Sequence, residues 1–211
     1  MTDVWSERAE AYRESEAHRQ GRDLELFAAW AEGKTALDVA TGGGHVARRL
    51  REAGLNVVTI DPAPGMKPDV VSRAEEIPFA DATFDVVACR VAAHHFQNPE
   101  RALREMARVS SSLVLVSDNL YLGEAGEEAD RLRDPTHVRN YSEEEWRRFF
   151  EEAELAVEAF EREDKRVQLE PWLQRAGCTG EEATRVRELL ADRIEDGHVK
   201  LDRGIFKGRK R

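Results

Sequence analysis

Three places in this sequence of 211 residues gather side chains that can hold or transform a ligand. The first is Asp38-Val39-Ala40-Thr41-Gly42-Gly43-Gly44-His45, with Asp61 at the end of the next apolar run. Glycines let the backbone take positive φ and approach a ligand closely, and N–H groups at a helix start bind a carboxylate or phosphate. An acid one strand away can hold ribose hydroxyls, so the set is nucleotide-shaped. The second place is Arg90, His94 and His95, just beyond another apolar run, where an imidazole can take a proton from an acceptor or polarise it. Adjacent histidines at a strand end also simply cap a helix or bind the backbone. The third is Arg133, Asp134, His137 and Tyr141, which suit either a lid over a pocket or a salt-bridge network on a solvated loop.

The glycine turn alone does not name its ligand. Gly42-x-Gly44-x-x-Ala47 also satisfies the dinucleotide fingerprint, so NAD and S-adenosylmethionine both remain open. Asp38 favours the second, because an acid just before the turn repels a pyrophosphate but accepts hydrogen bonds from an ammonium group. An Asp at such a junction can equally serve only to stabilise the turn.

The elements needed to position these residues are legible as apolar runs. Thr35 to Ala40 reads as a strand, His45 to Ala53 as a helix closed by Gly54, and Asn56 to Ile60 as a second strand ending at Asp61. Pro62, Pro64 and Pro68 forbid a long helix after it. A weak strand over Asp69 to Val71, strands over Phe84 to Cys89 and Ser112 to Ser117, and a helix over Pro99 to Val109 complete a βαβ pattern. That pattern predicts an α/β fold: a Rossmann-like, doubly wound, mostly parallel sheet with helices on both faces and ligands beyond the carboxyl ends of the strands. Val4 to Arg19 and Asp23 to Trp30 read as helices ahead of it. Gly123 to Asn140 reads as a charged loop, and Ser142 with Glu145 as a capping box opening a helix to Glu152. Ala156 to Phe160 and Arg166 to Leu169 suggest a sixth strand with a bulge, followed by helices over Pro171 to Ala176 and Glu181 to Ile194. A closing edge strand at Gly204 to Lys207 makes these helices an insertion before the last strand. The expected organisation is one domain: helices over 1–33 covering the site, a cofactor core over 34–118, and a lid with acceptor-side elements over 119–211.

Composition narrows the partners. Lysine and arginine total 32 against 42 aspartates and glutamates, a formal net charge of −10, which argues against nucleic acid. The basic end Lys207-Gly208-Arg209-Lys210-Arg211 reads as a solvated tail. Cys89 and Cys178 show neither a disulfide framework nor zinc-ligand spacing, so no metal is expected and a reducing cytosol fits. No run approaches the length that spans a bilayer, and neither export nor membrane insertion is expected.

Three stretches carry a family resemblance: Leu37 to Ala47, Ala74 to Val87, and His94-His95-Phe96 followed by Arg104 to Val109. Together they resemble the class I S-adenosylmethionine-dependent methyltransferases of the type that includes the ubiquinone and menaquinone C-methylases. Arg131 to Arg139, Tyr141-Ser142, Trp146 and Tyr12-x-x-Ser15-x-x-His18 look like a narrower bacterial branch. The resemblance implies methyl transfer to a small-molecule acceptor. It assigns the cofactor to Asp38, Ala40, Thr41, Gly42, Gly44, Asp61, Pro62, Ala74, Glu75 and Arg90, with the glycine turn on the methionine carboxylate, Asp38 on its amino group and Asp61 on the ribose. Position leads us to expect His95 and His137 on the acceptor side as catalytic candidates. Two departures stand out. Arg73 replaces an acid that often precedes the Ala-Glu pair, and a full crossover helix after Asp61 is missing, which leaves the adenine side more open and a non-catalytic, sensing role possible.

Overall fold

In a computed structural model the residues described are 3–211, and they build a single eight-stranded sheet flanked by helices. Five parallel strands come first: β1 (Thr35–Val39), β2 (Asn56–Asp61), β3 (Val70–Val71), β4 (Phe84–Arg90) and β5 (Ser110–Asn119). Three more follow: β6 (Leu155–Gln168), β7 (Ile194–Glu195) and β8 (His198–Lys210). The order is β3-β2-β1-β4-β5-β8-β6, with β7 attached to β8. Chain direction reverses only at β8, which is antiparallel to both β5 and β6. The last strand is therefore internal and β6 forms the edge, a correction to the expected closing edge strand. It also absorbs Lys207 to Lys210, so the expected solvated tail is a paired strand whose Lys207 and Arg209 meet Glu32 and Glu158.

Alternation along the strands sends successive side chains to opposite faces. Val87, Cys89, Val114, Val116 and Phe206 pack under α5 (Pro99–Val109) and α7 (Glu143–Glu152) through Leu103, Met106, Trp146 and Phe150. Val86, Ala88, Leu113, Leu115 and Ile205 pack under α3 (Arg22–Trp30) and α4 (His45–Glu52) through Leu24, Phe27, Val46 and Leu50. The Ser142–Glu145 capping box that opens α7 is formed in both directions.

The β6–β8 hairpin runs on past the end of β5, since residues 198–202 of β8 pair with β6 but not with β5. Its free half is covered by α6 (Glu124–Arg133), α8 (Leu169–Ala176) and α9 (Gly180–Leu189) around Trp172, Leu173, Val186 and Leu201. Helix α6 corrects the expected loop: its inward residues include Glu127, Asp130 and Arg133, spaced by three, so the stripe is helical in period but charged in chemistry. At the other end, α1 (Val4–Glu14) and α2 (Glu16–Arg19) break at Ser15. Ala9, with Trp5 and Tyr12 of α1, packs on Ala63 and Met66 of the short 3-10 turn that replaces the missing crossover helix.

Candidate active site

The glycine turn is drawn tight between two strand tips. Gly42 and Gly44 both adopt left-handed φ, +51° and +75°, with open space where a Cβ would point. Thr41 N donates to the Ile60 carbonyl at 3.0 Å, and Gly42 N donates to Asp61 Oδ2 at 3.0 Å. Asp61 Oδ1 accepts from Ala63 N at 2.9 Å, so this carboxylate fixes the turn on one side and the start of the proline segment on the other. Burial raises the Asp61 pKa above its ordinary value, against those two hydrogen bonds.

Asp38 is 1 % exposed. Its Oδ2 accepts from Thr41 Oγ1 at 2.6 Å and from Ala47 N at 3.0 Å, leaving Oδ1 for a ligand donor. Burial pushes its carboxyl up to about 7, opposed by the same two bonds. Asp38 thus performs the turn-stabilising role that sequence left open, without using both of its oxygens.

A cavity of about 620 Å³ opens at the carboxyl ends of β1, β2, β4 and β5. Eleven of the twelve site residues expected from sequence line it: Asp38, Ala40, Thr41, Gly42, Asp61, Pro62, Ala74, Glu75, Arg90, His95 and His137. Gly44 does not; it lies behind the turn as the left-handed N-cap of α4. Arg90 reaches the wall, but its guanidinium is committed elsewhere, with Nε and Nη2 on Asp23 at 2.6 and 3.0 Å and Nη1 on the His18 carbonyl at 2.9 Å. Its guanidinium therefore supports the cavity wall, and a cofactor contact from Arg90 falls to the rest of the residue. Glu75 Oε1 accepts from Gln97 N at 3.0 Å, and Arg73 Nε stands 3.5 Å from its other oxygen.

Three imidazoles meet at the far end of β4. Ring centroids of His94 and His95 are 4.1 Å apart, and His137 lies 5.7 and 6.4 Å from them. His94 Nδ1 donates to Asp118 Oδ1 at 2.6 Å, and His94 N donates to Asp118 Oδ2 at 3.0 Å. Burial alone would lower His94, but the Asp118 carboxylate outweighs it and the pKa is raised. His95 bonds through Nδ1 to the Thr136 carbonyl at 3.0 Å, while burial and the neighbouring His94 lower its pKa and keep it neutral. His137 Nε2 donates to Glu127 Oε2 at 3.1 Å, and its buried Nδ1 has no partner among the described residues. Asp118, Glu127 and Asp23 were not singled out from sequence. An acid at the tip of β5 is the one signal that was available, because that edge is where such sheets bind ligands.

The lid candidates divide. Arg133 and His137 line the cavity, whereas Asp134 and Tyr141 are buried beside it. Asp134 holds Thr136 and Arg8, and Arg8 Nη2 also reaches the Ala176 carbonyl at 2.8 Å, tying α1 across to α8. From the Tyr12-x-x-Ser15-x-x-His18 pattern, Tyr12 and His18 line the cavity with their rings 5.3 Å apart. The side left without a crossover helix is thus roofed by α1.

Residues 37–112 match the sequence signature described as a methyltransferase domain. The uncharacterized methyltransferase YcgJ of Bacillus subtilis is 31% identical over 198 residues, covering 82% of this chain and 78% of that protein. The chain belongs to the class I S-adenosylmethionine-dependent methyltransferases. The dinucleotide reading of the glycine turn falls with that membership. The crystal structure of YcgJ superposes with a TM-score of 0.80 at 26% identity, over 90% of this chain and 98% of that one. A putative methyltransferase from Bacillus halodurans gives 0.75 at 28% identity, over 90% and 99%. The demethylmenaquinone methyltransferase of Renibacterium salmoninarum is 36% identical over 88 residues only, 37% of each chain.

Proposed function

We propose that this methyltransferase acts on a small molecule, within one domain in which residues 1–33 cover the site, 34–118 hold the cofactor and 119–211 form the acceptor side. The observation that carries the reading is the single cavity running from the glycine turn to the three imidazoles, roofed by α1 and by the segment after α6. Its volume lies in the range of small-molecule pockets.

The chain fits S-adenosylmethionine at one end of that cavity. Open space over Gly42 leaves room for a carboxylate, Asp38 Oδ1 is available to an ammonium group, and Asp61, at the tip of β2, is the acid on the cavity wall that suits a ribose. Pro62, Ala74 and Glu75 bound the adenine side, closed from above by Trp5 and Tyr12. The cofactor, once bound, supplies a methyl group already activated on a sulfonium, so the protein's task is chiefly to align the acceptor and exclude water. Neutral His95 suits hydrogen bonding to the acceptor rather than proton removal. His94, held by Asp118, is a better base than His95. The two buried free cysteines are consistent with a reducing, cytosolic setting.

The test incubates the enzyme and a cell extract with methyl-labelled S-adenosylmethionine and separates the products by size. A labelled small molecule other than S-adenosylmethionine, absent when the enzyme is left out, is expected; transfer of label only to protein or nucleic acid overturns the reading. With the acceptor in hand, His95→Ala and His137→Ala should lower kcat while the S-adenosylmethionine Kd stays nearly constant, and parallel loss of both would return these residues to the cofactor or the fold.

A further inference from the structure

The cavity is electrically polarised. Its lining carboxylates, Asp38, Asp61 and Glu75, all come from the β1, β2 and β3 side. Beyond β4 the lining charges are cationic: Arg90, Arg133 from α6, Lys165 from β6, Arg175 from α8 and Arg203 from β8. Asp23, behind the wall, serves Arg90 and Arg203 together, and the pair of arginines holds its carboxyl down to about 2 against the effect of burial. Asp130 stands 3.6 Å from Arg133, and Glu163 lies near Lys165 and Arg203 without an ion pair to either. With Arg73, which stands beside Glu75 on the carboxylate side, six lining cations thus meet three carboxylates on a chain whose net charge is −10, and five of the six lie on the far side.

Two of these cations have no charged partner among the described residues, and two more carry an unused donor. Among the described residues, no carboxylate lies within ion-pair distance of Arg175 or Lys165; Arg175 meets only His18 Nδ1 at 3.3 Å, and Lys165 only the Gln20 carbonyl at 3.5 Å. The Nε atoms of Arg133 and Arg203 are buried without a hydrogen-bond partner among the described residues, and these residues are 8 % and 5 % exposed. Burial lowers the pKa of Lys165, Arg175 and Arg203 alike. Arg175 and Lys165, both half-buried, have no ion-pair partner among the described residues, and partly desolvated cations without counter-charge are costly, which is a reason to look for an anion that completes them. Apolar surface adjoins them: Trp172, with the Arg133 guanidinium 4.4 Å from its ring, and Val167 and Leu201.

We propose that Arg133, Lys165, Arg175 and Arg203 receive an anionic oxygen group of the methyl acceptor, a carboxylate or a phosphate, and that its apolar body lies on Trp172, Val167 and Leu201. This inference rests on the small-molecule reading above and narrows it to an amphipathic acid. A neutral quinol-like acceptor would leave the cationic wall unanswered.

The probes are benzoate and phenyl phosphate, with benzamide as the neutral isostere, titrated calorimetrically into the protein saturated with S-adenosylhomocysteine. Saturable binding of at least one anion is expected, at least tenfold tighter than benzamide. Arg175→Gln and Lys165→Gln should each weaken it by tenfold or more while the S-adenosylhomocysteine Kd changes less than twofold. Equal affinity for benzamide, no anion binding by a protein that binds S-adenosylhomocysteine, or anion binding unchanged in both variants overturns the inference. Anion binding lost in the variants, in a protein that fails to bind S-adenosylhomocysteine, would support the anion site and count against the cofactor assignment.

Discussion

Asp38 couples proton and ligand. Its carboxyl titrates near 7 in the folded protein against about 4 in an unfolded chain, so between those values the folded state holds a proton that the unfolded state has released. Its contribution to stability therefore falls as pH rises from about 4 to 7. An ammonium ligand prefers the ionised form, so S-adenosylmethionine affinity should climb through the same window, with close to one proton released per ligand near pH 6. Calorimetry in buffers of different ionisation enthalpy reads that proton, and Asp38→Asn should abolish its release. Asp61 plays a double part, since it would meet the ribose while holding Gly42 N and Ala63 N. Asp61→Ala should weaken cofactor binding by about 1.5–3 kcal/mol, the range for hydrogen bonds to a charged group, and should also lower the melting temperature because the buried Ala63 N–H and the part-buried Gly42 N–H lose their acceptor. Unchanged affinity would remove it from the site.

Helix α1 is held to the rest by few but specific contacts. Arg8 pairs with fully buried Asp134 at 3.1 Å, His45 Nε2 donates to the Tyr12 carbonyl at 3.0 Å, and that carbonyl sits so close to Gly43 that a Cβ there would come within 2.8 Å of it. Arg8→Ala removes the ion-pair partner of the Asp134 carboxylate and leaves it only Thr136, at a cost of about 1–3 kcal/mol, and should make the N-terminal 20 or so residues cleavable by trace protease under conditions where the parent is resistant. Cofactor should restore the protection. Those contacts were invisible in sequence because each joins residues far apart along the chain. What could be read locally was the parallel core: β1, β2, β4 and α5 declare themselves through apolar runs bounded by glycine, proline and a capping asparagine. Helix α6 escaped because Glu127, Asp130 and Arg133 occupy the positions where an inward stripe is normally apolar, and they bury a polar network with His137 and Asn140 instead. The pairing of the Arg90 guanidinium with Asp23 is likewise not legible locally, because Asp23 belongs to a helix far upstream.

The sheet is closed by β8, which separates β5 from β6 and carries Arg203 into the cavity wall while its far end packs beneath α7. Gly208, in that far end, faces Phe150 so closely that a Cβ would stand 2.5 Å from the ring. Gly208→Val should accordingly destabilise the fold by about 1–3 kcal/mol, measured by denaturant titration, with little change in cofactor affinity once folded. The position of β8 has a consequence for biosynthesis. A ribosome completes β5 and β6 long before it makes the strand that must lie between them, so the nascent chain carries two unpaired edges, one of them the apolar Leu113 to Val116. Nascent protein stalled at residue 197 should therefore recruit chaperone or aggregate, whereas release of the remaining strand should let the two edges zip onto it in one late step.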